Sequence, residues 1–264
     1  MLGFAIGLLP AASSGADAFV VQGGSGGRVS IEQVQGGVVT VQQTGANNRL
    51  EVLQRDARSD VADVVQGGAA NEARLQQQGT AAGALPRQAV VRQGGSGGRI
   101  ELQQLGPGAS GALFQSILSI GARAQIFQGA AAPLAVIEQG VAWTTPASPD
   151  ARAQSVLVRS GTLATAASTA ASASIVQSGG SGLSGIIIQA GAAQSASIRQ
   201  SGSYLEADIV QNGAAHTASI VQAGNGSAAS PYRASIVQFG AQPQSFSVTQ
   251  TAGAAPRVIR VIQQ

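Results

Sequence analysis

The side chains best suited to catalysis or metal binding are few in this chain and do not cluster along it. There is one histidine, His216, and no cysteine, which excludes disulfides and thiolate zinc sites. His216 has no carboxylate beside it in sequence and is interpreted as a polar turn residue. The acidic residues Glu51, Glu72 and Glu101 fall at outward positions of predicted strands, where they would act as solubilising groups. Because no converging pair of carboxylates is recognisable, we expect neither an enzyme nor a metal site.

Charge and glycine patterns also argue against ligand binding. The net charge of +3 comes entirely from arginines, which are scattered singly along the sequence, whereas a nucleic-acid-binding protein usually carries a clustered basic face with aromatic residues. Two glycine-rich segments, 23–27 and 94–98, lack the Lys-Ser/Thr pair that follows a phosphate-binding loop, and are interpreted as tight turns. No cofactor, small-molecule substrate or nucleic acid is therefore predicted.

Glutamine is the polar residue with a regular spacing, and its chemistry is amide hydrogen bonding. Between residues 188 and 222 the unit Ala-x-Ile-x-Gln-x-Gly recurs, and its glutamines are eleven residues apart. The register extends from Gln22 to Gln263, with a fuller unit, Gln-x-Gly-x-x-Asn-x-aliphatic-x-aliphatic-x-Gln, in the N-terminal half. We predict a ladder of stacked amides, since a buried amide is costly unless its neighbours satisfy it. The ladder residues are Gln43, Asn48, Gln54, Gln66, Asn71, Gln77, Gln189, Gln200, Gln211 and Gln222.

The period predicts the elements that hold these amides. Apolar residues alternate with polar ones inside each unit, which indicates a strand, and the glycine after each glutamine starts a turn. Two units make a strand-turn-strand coil of about 22 residues. We predict an all-β, amyloid-like β-solenoid of about ten such coils, with Ile, Val, Leu and Ala inside. The predicted turn glycines are Gly45, Gly68, Gly191, Gly202, Gly213 and Gly224.

The N-terminus and four interruptions define the domain organisation. Residues 1–18 combine a short apolar run with Ala16-Asp17-Ala18 and are predicted to be a secretory signal peptide. Residues 19–264 form the repeat region. Segments near 80–87, 142–150, 162–171 and 225–232 are predicted to be loops inserted at turns.

The residues just before the glutamines leave two interpretations open. In the C-terminal half they are mostly apolar, and they face outward if the glutamines face inward. An outer apolar stripe would favour lateral self-association, whereas β-propensity alone would place such residues on a solvent-exposed face. The apolar members are Val176, Ile188, Val210, Val221 and Val237.

With this register the sequence resembles the curlin family, the subunits of bacterial curli fibres. The resemblance is carried by Gln66-x-Gly68-x-x-Asn71-x-Ala73-x-Leu75-x-Gln77, Ala207-x-Ile209-x-Gln211-x-Gly213 and Ala218-x-Ile220-x-Gln222-x-Gly224. It implies a secreted, cell-surface functional amyloid of the biofilm matrix, acting in adhesion. Its partners would be further copies of itself, a curli nucleator subunit and outer-membrane export machinery. The chain departs from the family in its inserts and at the Asn position, where Gln194, Leu205, His216 and Gly98 stand.

A second function remains open at this point. A monomeric β-solenoid adhesin or binding module would have the same repeats and would use the four inserts as its binding surface. The two functions differ in whether the ends of the solenoid stack on further copies of the chain.

Overall fold

The chain folds as two parallel sheets wound into a β-solenoid. The computed structural model describes residues 16–34, 36–55, 60–78, 86–131, 133–139, 168–251 and 258–263. In these ranges the protein is all-β, with about 9 turns of ~23 residues each. The predicted β-solenoid is therefore confirmed. Stacked glutamines are 21 to 28 residues apart in sequence, except for two pairs 49 and 50 residues apart that span the longest interruption.

Successive strands alternate between the two sheets, so each sheet pairs every second strand. Sheet A contains β1 (Ala16–Ser25), β3 (Gly37–Ala46), β5 (Val61–Gln66), β7 (Gln88–Gln93), β9 (Ser110–Gln115), β11 (Leu134–Gln139), β14 (Ser184–Ala192), β16 (Leu205–Ala214), β18 (Tyr232–Gly240) and β20 (Val258–Gln263), and the two-residue β12 (Ser168–Thr169) pairs with β14. Sheet B contains β2 (Arg28–Gln33), β4 (Arg49–Arg55), β6 (Glu72–Gln78), β8 (Arg99–Gln104), β10 (Arg123–Gln128), β13 (Ser172–Ser178), β15 (Ser195–Ser203), β17 (Thr217–Asn225) and β19 (Ser245–Thr251).

The core lies between the sheets and is built from columns of aliphatic side chains. Each strand turns two small or aliphatic residues and one glutamine inward, as in Val39, Val41 and Gln43 of β3, which are all buried. The parallel register repeats this set on every rung, so each side chain packs on its counterpart above and below. Branched residues fit this arrangement because they pack well on a pleated surface.

The two corners of the solenoid differ in polarity. At the corner that leads into sheet B, each equivalent residue accepts a backbone hydrogen bond from the first residue of the sheet B strand of the preceding coil. These residues are Asn48, Asn71, Gln194, His216 and Gln244, and in the middle of the stack Gly98, Ala122 and Ala171.

The corner that leads into sheet A begins with a buried ion pair and continues with apolar residues. Asp60 and Arg87 pair at 2.6 Å, with both side chains 4% exposed. Further along, Leu183, Leu205 and Tyr232 form a small apolar cluster. Leu205 therefore stands at the corner opposite to the asparagines, where Gln200 Nε2 donates to Leu205 O as Gln66 Nε2 donates to Asn71 O.

The predicted outer apolar stripe is not one surface, because alternate strands belong to opposite sheets. Ile188, Val210 and Val237 lie on the outer side of sheet A and are buried in a second apolar cluster with Phe114 and other residues. The residues before the glutamines of sheet B, such as Val176, are only half-buried.

The predicted inserts are described only in part. Segment 225–232 connects β17 to β18 as predicted, with a turn between Ser227 and Ser230, and Tyr232 at its end is buried. Only residues 86–87 of segment 80–87 and residues 168–171 of segment 162–171 are described, and segment 142–150 lies outside the described residues. Of the predicted signal peptide, residues 1–15 lie outside them, and β1 begins at Ala16. No helix in the described ranges is long and apolar enough to span a bilayer.

Candidate assembly interface

Two uninterrupted glutamine ladders run through the core, one in each sheet. In every step the Nε2 of one glutamine donates to the Oε1 of the next glutamine toward the C-terminus, over 2.7 to 3.2 Å. The ladder of sheet A joins Gln22, Gln43, Gln66, Gln93, Gln115, Gln139, Gln189, Gln211, Gln238 and Gln263. The ladder of sheet B joins Gln33, Gln54, Gln77, Gln104, Gln128, Gln177, Gln200, Gln222 and Gln250.

The second N–H of the ladder amides ties the two sheets together. Gln66 Nε2 also donates to the backbone oxygens of Arg49 and Asn71, at 3.2 and 3.1 Å, and Gln189 Nε2 donates to Ser172 O at 3.1 Å. These carbonyls belong to the corner and to the first residue of a sheet B strand. The amides are thus satisfied as donors without water, which offsets the cost of burying them.

The turn glycines make the close stacking of coils possible. All six predicted ones have positive φ, from 81° at Gly68 to 138° at Gly213. A Cβ at Gly202 would lie 1.8 Å from Gly224 O, and one at Gly45 would lie 1.9 Å from Gly68 O. Both the backbone conformation and the approach of the neighbouring coil therefore require glycine at these turns.

Asn48 and Asn71 do not form the amide ladder that was predicted for them. Asn71 Nδ2 donates to Gly67 O of its own turn at 2.6 Å and to Gly95 O of the next coil at 3.0 Å, and Asn71 Oδ1 accepts from Gly98 N at 2.8 Å. Asn48 makes the same set of bonds. Both side chains therefore cap backbone groups of two coils. The left-handed non-glycine residues at these turns are Asn47 and Ala70, one position earlier, so Asn48 and Asn71 are not used for their backbone freedom.

His216 is buried, so its interpretation as a polar turn residue was incomplete. It is 0% exposed, and neither ring nitrogen has a hydrogen-bond partner. It stacks at the corner between Gln194 and Gln244, each of which leaves its Oε1 without a donor. Gln194 partly replaces asparagine, because its Nε2 donates to Ala190 O at 2.9 Å and to Gly213 O at 3.3 Å.

The first and last strands of the stack have open edges. Among the described residues no strand pairs with the outer edge of β1 or of β20. Val20, which continues the core column of Val41, is 43% exposed, and Val258 and Ile262 of β20 are 59% and 51% exposed. A parallel strand with free N–H and C=O groups and apolar side chains is a template for further strands.

The two open edges are complementary in hydrogen bonding. At β1 and β2, Gln22 Oε1 and Gln33 Oε1 accept no hydrogen bond within the described part of the chain, and at β20 Gln263 Nε2 has no acceptor there. The polarity follows from the ladder direction, because every internal amide donates toward the C-terminus. Only a C-terminal edge placed on an N-terminal edge would continue the ladder.

No group of three or more His, Cys, Asp or Glu residues that could hold a metal ion occurs within the described ranges. No protein-family model matches the chain, and the search of curated proteins found no significant match.

Proposed function

We propose that this protein is a structural subunit of an extracellular, curli-like amyloid fibre that grows by stacking solenoids end to end. The observation that carries the proposal is the polarity of the glutamine ladders. One edge presents amide oxygens and the other presents an amide N–H. A junction between two copies would therefore extend the sheet A ladder from Gln263 of one copy to Gln22 of the next.

Core packing supports the same junction. The column of inward residues that starts at Val20 continues through Val41 and ends with Ile236 and Val261. Val261 of one copy would cover Val20 of the next and complete the column. Removing such apolar surface from water is favourable by about 25 cal/mol per Å², and the backbone bonds of β20 and β1 would be satisfied at the same time.

The resemblance to the curlin family adds a biological setting to the proposal. A secreted subunit of that kind would lose residues 1–18, pass the outer membrane through curli export machinery and polymerise on a nucleator at the cell surface. Its fibres would act in adhesion and in the biofilm matrix. Protein starting at Phe19 loses the first three residues of β1 but still contains Val20, Gln22 and the rest of the strand to Ser25.

Seeded assembly tests the proposal directly. Purified protein starting at Phe19 should form fibres after a lag phase, the lag should disappear when fragmented fibres are added, and aligned fibres should give a meridional reflection near 4.7 Å. If the protein stays monomeric over days under conditions that keep it folded, the proposal fails.

A monomeric adhesin or binding module is the second candidate, and the strand count favours it. Among the described strands, the first and last, β1 and β20, both belong to sheet A, which has one more full-length strand along its path than sheet B, whose outer strands are β2 and β19. A head-to-tail junction of two solenoids with these strands would therefore leave sheet B one strand short. Sedimentation velocity on the folded protein separates the candidates, because the adhesin would remain a monomer at all concentrations.

A further inference from the structure

Four arginines that are far apart in sequence lie in one column on the outer face of sheet B. Arg28, Arg49, Arg99 and Arg123 are the first residues of β2, β4, β8 and β10, and Glu72 of β6 stands between the second and third of them. All four arginines are exposed. The arginines are scattered singly in sequence, but the solenoid register collects these four into a linear basic track.

This track is a charge arrangement that folding does not require. Arg28 stands directly beside Arg49, and Arg99 beside Arg123, on neighbouring strands, where like charges are unfavourable. Of the four, only Arg99 has a carboxylate partner among the described residues, Glu72 at 3.8 Å. The remaining arginines are therefore available to an anionic partner.

Other arginines of the same face are paired in the ordinary way. Arg74 contacts Glu51 at 3.4 Å, and Arg55 contacts Glu32 at 3.2 Å. Arg199, in another column of this face, has no ion pair among the described residues, but it is not stacked beside a second arginine as the first-column arginines are.

The same column continues as a row of hydroxyl groups. Beyond Arg123 it contains Ser172, Ser195, Thr217 and Ser245, all exposed. The next outward column beside it contains Ser174, Ser197, Ser219 and Ser247. With a strand spacing of about 4.8 Å, the basic and hydroxyl parts together extend over roughly 38 Å along the solenoid axis.

We propose that this column, from Arg28 to Ser245, binds a linear acidic polysaccharide that lies along the solenoid axis. Guanidinium groups bind carboxylates through paired, charge-assisted hydrogen bonds, so the arginine half would hold the uronate groups. The Ser/Thr half would donate to and accept from sugar hydroxyls. The proposal does not depend on fibre formation, because the column lies on the outer face of a single chain.

The chemistry of the column favours a polysaccharide over a nucleic acid. Proteins that bind single strands use aromatic side chains on which bases stack, and neither the arginine nor the hydroxyl part of this column contains one. Glu72 within the column and Glu51 and Glu101 in the next one would also repel a backbone with a phosphate at every residue. A sugar chain with neutral hydroxyls between its carboxylates tolerates these groups better.

Binding of a labelled oligogalacturonate tests the proposal. Fluorescence anisotropy of the fluorescein-labelled oligomer, at about 50 mM NaCl where exposed charges are weakly screened, should rise with protein concentration, whether the protein is soluble or assembled. The double variants Arg28→Gln/Arg49→Gln and Arg99→Gln/Arg123→Gln should each weaken binding about fivefold or more. The matched control Arg199→Gln/Arg260→Gln changes two exposed arginines outside the column and should change affinity less than about twofold.

Three results would contradict the proposal. Equal weakening by the control variant would show that only net charge matters, and would overturn the column as a site. Tighter binding of a poly-dT oligonucleotide or of duplex DNA than of oligogalacturonate at the same salt would overturn the assignment to polysaccharide. The comparison of nucleic acid with oligogalacturonate needs only the wild-type protein. For the arginine variants, far-UV circular dichroism verifies that each is folded. Equal binding of neutral dextran would exclude a role for the arginines.

Discussion

The side-chain amide of Gln139 donates to Gln189 Oε1 at 3.0 Å, although the two residues are 50 apart in sequence. The equivalent step in sheet B joins Gln128 to Gln177 across 49 residues at 3.2 Å. Both ladders therefore pass the longest interruption of the repeat without a missing rung. The register of both ladders must therefore be determined by the pairing of the strands on either side of the interruption.

Replacing a ladder glutamine in the middle of the stack should strongly destabilise the fold. Gln189→Leu would leave Gln211 Oε1 without its donor and Gln139 Nε2 without its side-chain acceptor. Buried groups left in this way cost about 1–3 kcal/mol each, so the two together should cost about 2–6 kcal/mol. Urea unfolding of the soluble protein, followed by circular dichroism, measures it. The control Gln42→Leu changes an exposed outward glutamine and should stay within about 0.5 kcal/mol; similar losses in both variants would exclude a stabilising ladder.

A turn glycine should tolerate no side chain where the next coil is in contact. Gly202 has φ of 130°, and an added Cβ would meet Gly224 O at 1.8 Å. Because the backbone of two coils would have to separate, Gly202→Ala should cost more than about 3 kcal/mol of unfolding free energy. Gly121 also has positive φ, 63°, but nothing lies within 4 Å of its added Cβ, so Gly121→Ala should cost only about 1–2 kcal/mol. Equal effects in urea unfolding would mean that φ alone, and not stacking, determines these turns.

The repeat made the solenoid and its inward glutamines predictable, because period-two alternation and an eleven-residue glutamine spacing are local signals. Contacts at the corners were not predictable in the same way. Whether Asn71 bonds to another amide or to the backbone depends on how close the next turn approaches. The burial of His216 and the apolar packing of Leu205 depend on which corner each occupies, and a register counted along the sequence does not distinguish the two corners.

The buried ion pair of Asp60 and Arg87 is a feature that the sequence did not predict, since its members are 27 residues apart. Asp60 Oδ1 also accepts from Arg87 N, and Arg87 Nε donates to Gly106 O. Asp60→Asn would leave a buried guanidinium without its counter-charge and should cost about 3–5 kcal/mol, whereas the double variant Asp60→Leu/Arg87→Met should recover most of this loss. Urea unfolding of the single and double variants measures the coupling.

An exposed ion pair provides the control for that cycle. Glu32 and Arg55 pair at 3.2 Å with side chains 60% and 45% exposed. Glu32→Gln should therefore change stability by less than about 1 kcal/mol. A double variant no more stable than Asp60→Asn would show that the corner requires the ionic contact itself.

Two neighbouring valines at the N-terminal edge should affect assembly differently. Val20 points along the core column and is 43% exposed, whereas Val21 points outward and is 64% exposed. At a stacked junction Val20→Lys would bury an ammonium group, at a cost of several kcal/mol, while the folded monomer would leave that lysine in water. We expect Val20→Lys to lengthen the lag and slow seeded growth in thioflavin fluorescence, and Val21→Lys to behave like wild type. Equal rates for the two variants would exclude this edge from the junction.

Strand number should control assembly if solenoids stack end to end. Ending the chain at Thr251 removes β20, and starting it at Gly26 removes β1; either change gives sheets A and B equal numbers of strands along their paths. Each shortened chain then has edges that match without a missing strand, so both should assemble with a shorter lag than the protein starting at Phe19. The chain from Gly26 to Thr251 carries both truncations but has unequal sheets again, now with sheet A one strand short, and should lose this advantage. If the chain from Gly26 to Thr251 assembles as fast as the two singly truncated chains, the rate depends on removing the terminal strands rather than on matching strand numbers, and the head-to-tail junction is wrong.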